Sequence, residues 1–197
     1  MSDRYPQVEV KTRGEWREWL VRNHDRSSGI WLVTFKQGSG GARVTYDEIV
    51  EEALCFGWVD SLPRRVDDRR TSLLLTPRKP TSRWSAANKA RVERMTAAGM
   101  MTPAGVDLVE HAKLTGLWNA LDDVELLVEP EDLRAALDAD PHARGKWDGF
   151  APSARRGILE WILSAKRPET RAKRIRTTVE EAAAGRRANQ WRRAESP

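Results

Sequence analysis

The first half of the chain combines two periodicities of hydrophobic and polar positions, one typical of helices and one typical of strands. At Thr12 and at Thr45 a threonine is followed three positions later by glutamate, and this capping-box pattern predicts the start of a helix. We expect the first helix to continue to about Arg22. The second should stop at Gly57, because glycine readily adopts the conformation that ends a helix.

Three segments of the first part of the chain are rich in β-branched and aromatic residues, which favours strands. The first segment ends at a cluster of glycines. The other two are separated by a short polar connection, which predicts a hairpin. The predicted strands are 29–36, 59–66 and 71–76, with the hairpin connection at 67–70.

From Ser85 onward only helical patterns remain. Gly99 is placed to end a helix that begins near Ser85, and Thr102 with Pro103 has the N-cap and first-turn proline of another helix. The further predicted helices are 131–139, 153–166 and one that opens at Pro168. The sequence therefore predicts an α+β fold, in which a small N-terminal sheet with helices is followed by a helical C-terminal array. We expect an α+β domain over 1–115, a connecting segment over 116–130 and a C-terminal helical region over 131–193.

The composition is typical of a folded protein of 197 residues, with 40% hydrophobic and 32% charged residues. The single cysteine, Cys55, excludes an internal disulfide and is flanked by apolar residues, which predicts a buried side chain in a reducing compartment. The N-terminal residues lack the apolar core of a signal peptide, and no run approaches the roughly 18 apolar residues of a membrane span. We therefore expect a cytoplasmic protein without a membrane span.

Charged residues are distributed unevenly, although the net charge is only +5. Residues 61–94 carry ten basic and three acidic side chains, residues 95–152 carry four and eleven, and residues 153–193 carry twelve and four. Two arrangements are open. The blocks neutralise one another in the fold, or the two basic blocks converge into a patch that attracts anionic partners.

The hairpin and the segment after it combine indoles, hydroxyls and guanidinium groups, a mixture that suits an anion or a flat polar ligand. Asp60 and Arg78 are candidates for an acid and base pair at the mouth of the hairpin, with Trp58 and Trp84 as the walls of a pocket. The alternative is that Asp60 caps a turn and Arg78 pairs with it. The candidate ligand-binding residues are Trp58, Asp60, Arg78, Lys79, Ser82, Arg83, Trp84 and Ser85.

Two serines of this set, Ser82 and Ser85, precede a predicted helix, whose free N–H groups and dipole favour anions. With Lys79 and Arg83 they are candidates to hold a phosphate or a carboxylate. Simple capping of the helix is the alternative for both serines.

Three arginines on the last predicted helix, Arg167, Arg171 and Arg174, have the spacing of one helical stripe. Such a stripe is typical of contacts to nucleic-acid phosphates, although no zinc finger or RNA-recognition signature accompanies it. The alternative is that their aliphatic stems cover the edge of the core while their charged ends reach water.

Motifs that would name a reaction are missing from the sequence. It has no nucleophile elbow, no phosphate-binding loop with its lysine, no paired C-x-x-C and no H-E-x-x-H. Asp107 and His111 have i, i+4 spacing, but an ordinary interaction on a helix surface is the simpler interpretation. We therefore predict no catalytic residue, no metal site and no cofactor, and leave open whether the protein is an enzyme.

A series of short motifs occurs in order along almost the whole chain. They are residues 56–60, 76–80, 103–105, 112–113 and 164–171, with Ser82, Trp84, Ser85 and Asn88. Taken together they resemble the YdeI/OmpD-associated family. The resemblance implies protection against bacteriocins or antimicrobial peptides and an association with an outer-membrane porin, and it brings no catalytic residues. The chain departs from the family pattern at Ser61, Leu73 and Leu74.

The predicted function is that of a cytoplasmic, non-catalytic binding or interaction protein linked to stress or bacteriocin resistance, with a surface that prefers anions. Its partner would be an anionic ligand or another protein, and its oligomeric state is left open. A nucleic-acid-binding protein that uses the two basic blocks is one alternative. An enzyme that acts on a small anionic metabolite through Asp60 and Arg78 is another.

Overall fold

The structure is a computed structural model, and it describes residues 4–39 and 43–189. The chain divides into two compact units, Met1–Ala120 and Leu121–Pro197. The boundary between them lies inside the predicted connecting segment, 116–130. That the units are independent domains stays a prediction, and residues 190–193 of the predicted C-terminal region lie outside the described residues.

The first unit contains both strands and helices, which confirms the predicted α+β class. The short strand β1 is not predicted by the sequence pattern, because three residues are too few to show a periodicity. The elements in chain order are β1 (Gln7–Glu9), α1 (Arg13–Asn23), β2 (Ile30–Phe35), α2 (Tyr46–Cys55), β3 (Trp58–Arg65), β4 (Arg70–Pro77), α3 (Ala86–Ala97) and α4 (Pro103–Leu114).

Within the described residues the strands form one sheet in the order β1-β2-β4-β3. β1 pairs with β2 in parallel, and the other neighbours are antiparallel, including the predicted hairpin of β3 and β4. Residues directly opposite each other in antiparallel strands point to the same face of the sheet. The pairs Ile30 with Leu75 and Leu32 with Leu73 therefore place four buried side chains on the face that packs in the core.

Both predicted capping boxes begin helices. The Thr12 hydroxyl accepts a hydrogen bond from the backbone N–H of Glu15 at 3.1 Å. At Thr45 the full reciprocal box with Glu48 is present. Gly57 follows α2 with a φ of 73°, in the left-handed region that favours glycine, and this directs the chain into β3. The sequence signals thus set the ends of both helices.

Helix α4 is fastened to the end of α2. Thr102 occupies the predicted N-cap position of α4, but its hydroxyl donates to the Cys55 carbonyl at 2.6 Å rather than capping the helix. A Cβ added at Gly105 would lie only 2.4 Å from the same carbonyl oxygen. This glycine therefore permits a backbone approach that no larger residue allows.

A charged network between α1 and α2 supplements the apolar core of the first unit. Glu52 is completely buried, and its two carboxylate oxygens accept from Arg13 Nε and Arg17 Nη1, each at 2.6 Å. Glu51 pairs with Arg13 and, at 2.7 Å, with Arg94. Part of the basic block 61–94 is thus neutralised inside its own unit.

The second unit is helical in its described residues. Its core surrounds Trp147, which is completely buried. The helix at Pro141 is not among the predicted ones, although Asp140 followed by proline is an N-terminal signal. The elements are α5 (Asp122–Glu125), α6 (Glu131–Asp138), α7 (Pro141–Asp148), α8 (Pro152–Leu163) and α9 (Pro168–Ala183). No helix in the described part of the chain is long and apolar enough to cross a membrane.

Candidate functional site

Arg78 lies directly after β4, at the open end of the hairpin. Its backbone N–H donates to the carbonyl of Gly57 at 2.8 Å, which holds it beside the turn between α2 and β3. Only 6% of the residue is exposed. Arginine is rarely buried to this degree without a partner for its charge, so its surroundings decide what it does.

The guanidinium group of Arg78 stacks on Trp84, with its carbon atom 3.8 Å from the ring centroid. Its Nη2 donates to the backbone carbonyl of Arg83 at 2.5 Å. Its Nε is buried and has no hydrogen-bond partner among the described residues. The guanidinium therefore keeps at least one buried donor for which the described residues supply no acceptor.

Burial lowers the pKa of Arg78 to about 10, against an opposing effect of the negative charge of Asp60. The Asp60 carboxylate is also held by Tyr46, whose hydroxyl donates to Oδ2 at 2.7 Å. Desolvation, and then this hydrogen bond, raise the pKa of Tyr46 to about 12. The sequence-predicted pair, Asp60 and Arg78, is thus close enough to interact electrostatically, and Tyr46 is an additional member that sequence reasoning missed. The capping box at Thr45 was the signal that could have placed it at the start of α2.

The two tryptophans of the predicted pocket lie in the core rather than on open walls. Trp58 is 1% exposed, and its Nε1 donates to the His24 carbonyl at 3.0 Å. Trp84 is 2% exposed and belongs to a second apolar cluster with Val92 and Val109. The structure therefore brings Trp84 to Arg78 but leaves Trp58 packed against other groups. Ligand binding by this set stays a prediction.

The remaining predicted residues surround the start of α3. Ser85 is the N-cap of α3, and its hydroxyl accepts from the Asn88 N–H at 3.4 Å. This serine therefore caps the helix, which is the alternative to anion binding. The Ser82 N–H donates to the Lys79 carbonyl at 3.0 Å in a turn, and the Lys79 side chain is exposed. Arg83 contributes its carbonyl to Arg78.

Two arginines of the predicted basic stripe on α9 are held by groups of the second unit. Arg171 binds the Asp132 carboxylate with two donors, at 2.6 and 2.8 Å. Arg174 donates to the Trp161 carbonyl and, at 2.7 Å, to the Ser164 hydroxyl. Arg167 is exposed at the N-terminus of the helix. Contact of the stripe with nucleic acid stays a prediction.

Arg155 in the second unit offers a close comparison for Arg78. Its guanidinium lies 5.4 Å from the Trp147 ring centroid, and its Nε is likewise buried without a partner. Unlike Arg78, it has a carboxylate: its Nη2 donates to Glu129 at 3.1 Å. Glu129 also accepts from Arg144 and from the Trp147 indole, so the charges of this cluster are matched.

The described part of the chain contains neither a cluster of metal ligands nor an exposed thiol. No group of three or more His, Cys, Asp or Glu side chains there could hold a metal ion. Burial raises the pKa of Cys55 to about 11, and the thiol lies inside the core. Within these residues, Arg78 and its neighbours remain the candidate recognition site.

Comparison with protein families divides the chain at nearly the same place as the fold does. Residues 8–108, slightly more than half of the chain, match the family described as Domain of unknown function (DUF8412). The chain belongs to this family. Residues 127–185 match the family described as Bacteriocin-protection, YdeI or OmpD-Associated, which confirms the predicted kinship for the C-terminal part.

The extent of that kinship differs from the prediction. The resemblance was expected along almost the whole chain, but the YdeI/OmpD-associated match covers only 127–185. Arg78, Trp84 and Asp60 lie in the other match, whereas Glu129, Arg155 and the α9 arginines lie in the YdeI/OmpD-associated part. A search of curated proteins finds no match, and a search of solved structures finds none either.

Proposed function

We propose that this chain is a binding protein in which Arg78 recognises an anionic group, a carboxylate or a phosphate, on a ligand or protein partner. The observation that carries the proposal is the state of the Arg78 guanidinium. It is nearly buried, it stacks on Trp84, and its Nε has no acceptor in the part of the chain that the structure describes.

An anion is the partner that such a group favours. A guanidinium presents planar donors that match carboxylate and phosphate oxygens, and bonds between charged partners are roughly twice as strong as neutral ones. The lowered pKa of Arg78 shows that its charge is poorly compensated by the protein alone. An arriving anion would both accept from the guanidinium and restore its charge balance.

Access to the Arg78 side chain is limited. Trp84 covers a face of the guanidinium, and 6% of Arg78 is exposed. Pro77, Lys79 and Pro80 beside it are exposed, and Lys79 adds a positive charge at the surface. A ligand would therefore reach the edge of Arg78 from the turn that follows β4.

The description of the YdeI/OmpD-associated family supports a role in protection against bacteriocins, and we extend that role to this chain as part of the proposal. In this proposal the protein acts in the cytoplasm and binds its partner without transforming it.

Thermal unfolding of the full chain with inorganic phosphate or acetate tests the proposal, with sodium chloride at the same ionic strength as the salt control. A ligand that binds only the folded state stabilises it by RT ln(1 + [L]/Kd), about 2.7 kcal/mol at a concentration of 100 Kd. We expect phosphate or acetate to raise the melting temperature of the unmodified protein and of Arg155→Met, but not of Arg78→Met.

Arg155→Met is the matched control because Arg155 also stacks on an indole and keeps a buried Nε, but already has Glu129 as its carboxylate. An equal response of Arg78→Met and the unmodified protein would refute the assignment of the site. The assignment would also be refuted if phosphate and acetate raised the melting temperature of the unmodified protein no more than sodium chloride does.

A further inference from the structure

A cavity of about 280 Å³ lies at one end of the sheet in the first unit, where the core-facing surface changes from apolar to hydroxylated. The pairs Ile30 with Leu75 and Leu32 with Leu73 are followed, on the same face, by Thr34 with Thr71. Both threonines line the cavity, together with residues at the start of α2. On a sheet face that packs in the core, alternation would place apolar side chains at these two positions. The hydroxyls of Thr34 and Thr71 therefore indicate that this end of the face contacts a polar group.

Four residues with hydroxyl groups are among those that line the cavity, Thr34, Tyr46, Thr71 and Ser72. Thr34 and Thr71 lie on the core-facing side of the sheet, whereas Ser72, the next residue along β4, lies on its other face. Thr34 is only 4% exposed and Ser72 only 1%. The hydroxyls of Thr71 and Ser72 donate to the Arg64 carbonyl at 3.2 and 3.3 Å, which leaves their oxygens able to accept. The cavity thus offers the buried hydroxyl of Thr34 and the half-buried hydroxyl of Thr71 from one face of the sheet.

The charged residues that line the cavity are both basic, Lys36 and Arg43, and the described lining contains no Asp or Glu. Lys36 donates to the backbone carbonyl of Asp67 at 2.6 Å, a neutral acceptor that does not cancel its charge. Neighbouring carboxylates are already engaged, including that of Asp67, which pairs with Arg70 at 2.7 Å. Glu48 accepts from the Thr45 N–H and hydroxyl, each at 2.8 Å, and Asp60 accepts from Tyr46.

Backbone and hydroxyl hydrogen bonds from Thr45 lower the pKa of Glu48, and the charge of Arg43 contributes further. Glu48 is therefore ionised and belongs to the capping box rather than to the cavity. Glu48 acts on Arg43 from outside the lining, and the charged side chains that line the cavity itself are both cations.

Apart from Gln37, the rest of the wall is apolar and comes from Phe35, Val44, Ile49, Pro63 and Leu73. Ligand pockets for drug-sized molecules usually exceed about 300 Å³, so this cavity suits a smaller compound. We propose that it binds a small organic carboxylate with a short apolar body, whose charge meets Lys36 and Arg43 and whose body contacts the apolar wall. Tyr46 borders both this cavity and the Arg78 site, but the cations proposed to meet the carboxylate here are Lys36 and Arg43 rather than Arg78.

A titration followed by nuclear magnetic resonance tests this proposal on the full chain. Benzoate is the probe, and benzamide, which has nearly the same shape without the charge, is its neutral counterpart. We expect saturable shifts of the Thr34 and Thr71 amide signals with benzoate, and binding of benzamide weaker by about tenfold or more, as expected for loss of a charge-assisted hydrogen bond. Sodium chloride at matched ionic strength removes the general salt effect.

Variants locate the binding within the fold. Arg43→Gln should weaken benzoate about tenfold, and Thr34→Val, which keeps the shape and removes the hydroxyl, should weaken it about fivefold. Arg22→Gln is the matched control, because Arg22 lies on α1, is exposed and is outside the lining. The thermal unfolding of each variant without ligand shows whether the fold is intact.

Arg78→Met separates the two proposed sites. Unchanged binding of benzoate in Arg78→Met, together with its loss in Arg43→Gln, supports the cavity. Equal affinity for benzoate and benzamide, shifts that do not saturate, or unchanged affinity in Arg43→Gln would each overturn it. Loss of benzoate binding in Arg78→Met but not in Arg43→Gln would also overturn it and assign the anion to Arg78.

Discussion

Replacement of Arg78 by methionine should leave the free energy of unfolding unchanged or raise it by about 1 kcal/mol. This is the opposite of the usual result for a buried charge, where removing one partner of a pair is destabilising by about 3–5 kcal/mol. The difference arises because Arg78 is buried with an unpartnered Nε, and its charge is only partly compensated.

The magnitude follows from the pKa of Arg78, which burial lowers to about 10. Since each pH unit of depression corresponds to about 1.4 kcal/mol, the charged form destabilises the native state by about 3 kcal/mol. The pKa is lower in the folded than in the unfolded chain, so this penalty is fully present below pH 10 and declines as the pH rises above that value.

Methionine removes this penalty but also removes two favourable contacts. The bond to the Arg83 carbonyl contributes about 1 kcal/mol, and the stacking on Trp84 contributes about 0.5–2 kcal/mol, part of which a thioether on an indole restores. When the removed penalty and the lost contacts are added, the free energy of unfolding should stay unchanged or rise slightly. Arg78→Met should therefore show the trade between stability and binding that is common at functional sites.

Urea unfolding at pH 7, followed by circular dichroism, gives the measurement, with the midpoint compared at constant m-value. Arg155→Met is the control and should lose about 2 kcal/mol, because it breaks a charge-assisted bond to Glu129. A loss of more than about 2 kcal/mol in Arg78→Met would show that Arg78 is a structural residue, and the reasoning about its unmet donor would fail.

Three other predictions concern the first unit, with one control in the second. Glu52→Gln should lower the free energy of unfolding, measured in urea, by about 3–5 kcal/mol, because Arg13 and Arg17 would lose the buried carboxylate that they share. Glu18→Gln removes an exposed i, i+4 pair and should change this free energy by less than about 0.5 kcal/mol. Gly105→Ala should lower the melting temperature, since its Cβ would meet the Cys55 carbonyl. Gly157→Ala, in a helix with nothing within 4 Å, should stabilise by up to about 1 kcal/mol, and the same sign for both would contradict this. With its pKa raised to about 11 and its side chain buried, Cys55 should react with a thiol reagent at pH 8 only after denaturant is added; rapid labelling of the native protein would contradict the packing.

Local signals explain why much of the fold was predictable. Thr12 and Thr45 begin helices because a hydroxyl three residues before a glutamate satisfies free N–H groups within one turn. Such a signal involves only neighbours in sequence, so no tertiary information is needed. Strand β1 was not predicted because three residues give a periodicity little room to appear. Helix α7 has a start signal in Asp140 and Pro141 that sequence reasoning missed.

The candidate site was only partly predictable for a related reason. The sequence indicated Asp60, Arg78 and Trp84 as chemically suited to one another, and the structure places Arg78 on Trp84 within reach of the Asp60 charge. It did not indicate that Trp58 would turn into the core, because an aromatic residue at the start of a strand can face either side. It also missed Tyr46, whose bond to Asp60 joins an α-helix to a strand.

Sequence alone determined the helix starts, the hairpin, the α+β class and the kinship of the C-terminal part, since each depends on residues close together in the chain. Only the tertiary structure decided which charges remain unmatched. Arg171 meets Asp132 across 39 positions and Arg155 meets Glu129 across 26, whereas the guanidinium of Arg78 donates to a backbone carbonyl and is hydrogen-bonded to no carboxylate among the described residues. Residue types reveal how many charges a protein has, but the free energy of a charge depends on its depth and on the groups that the fold brings to it.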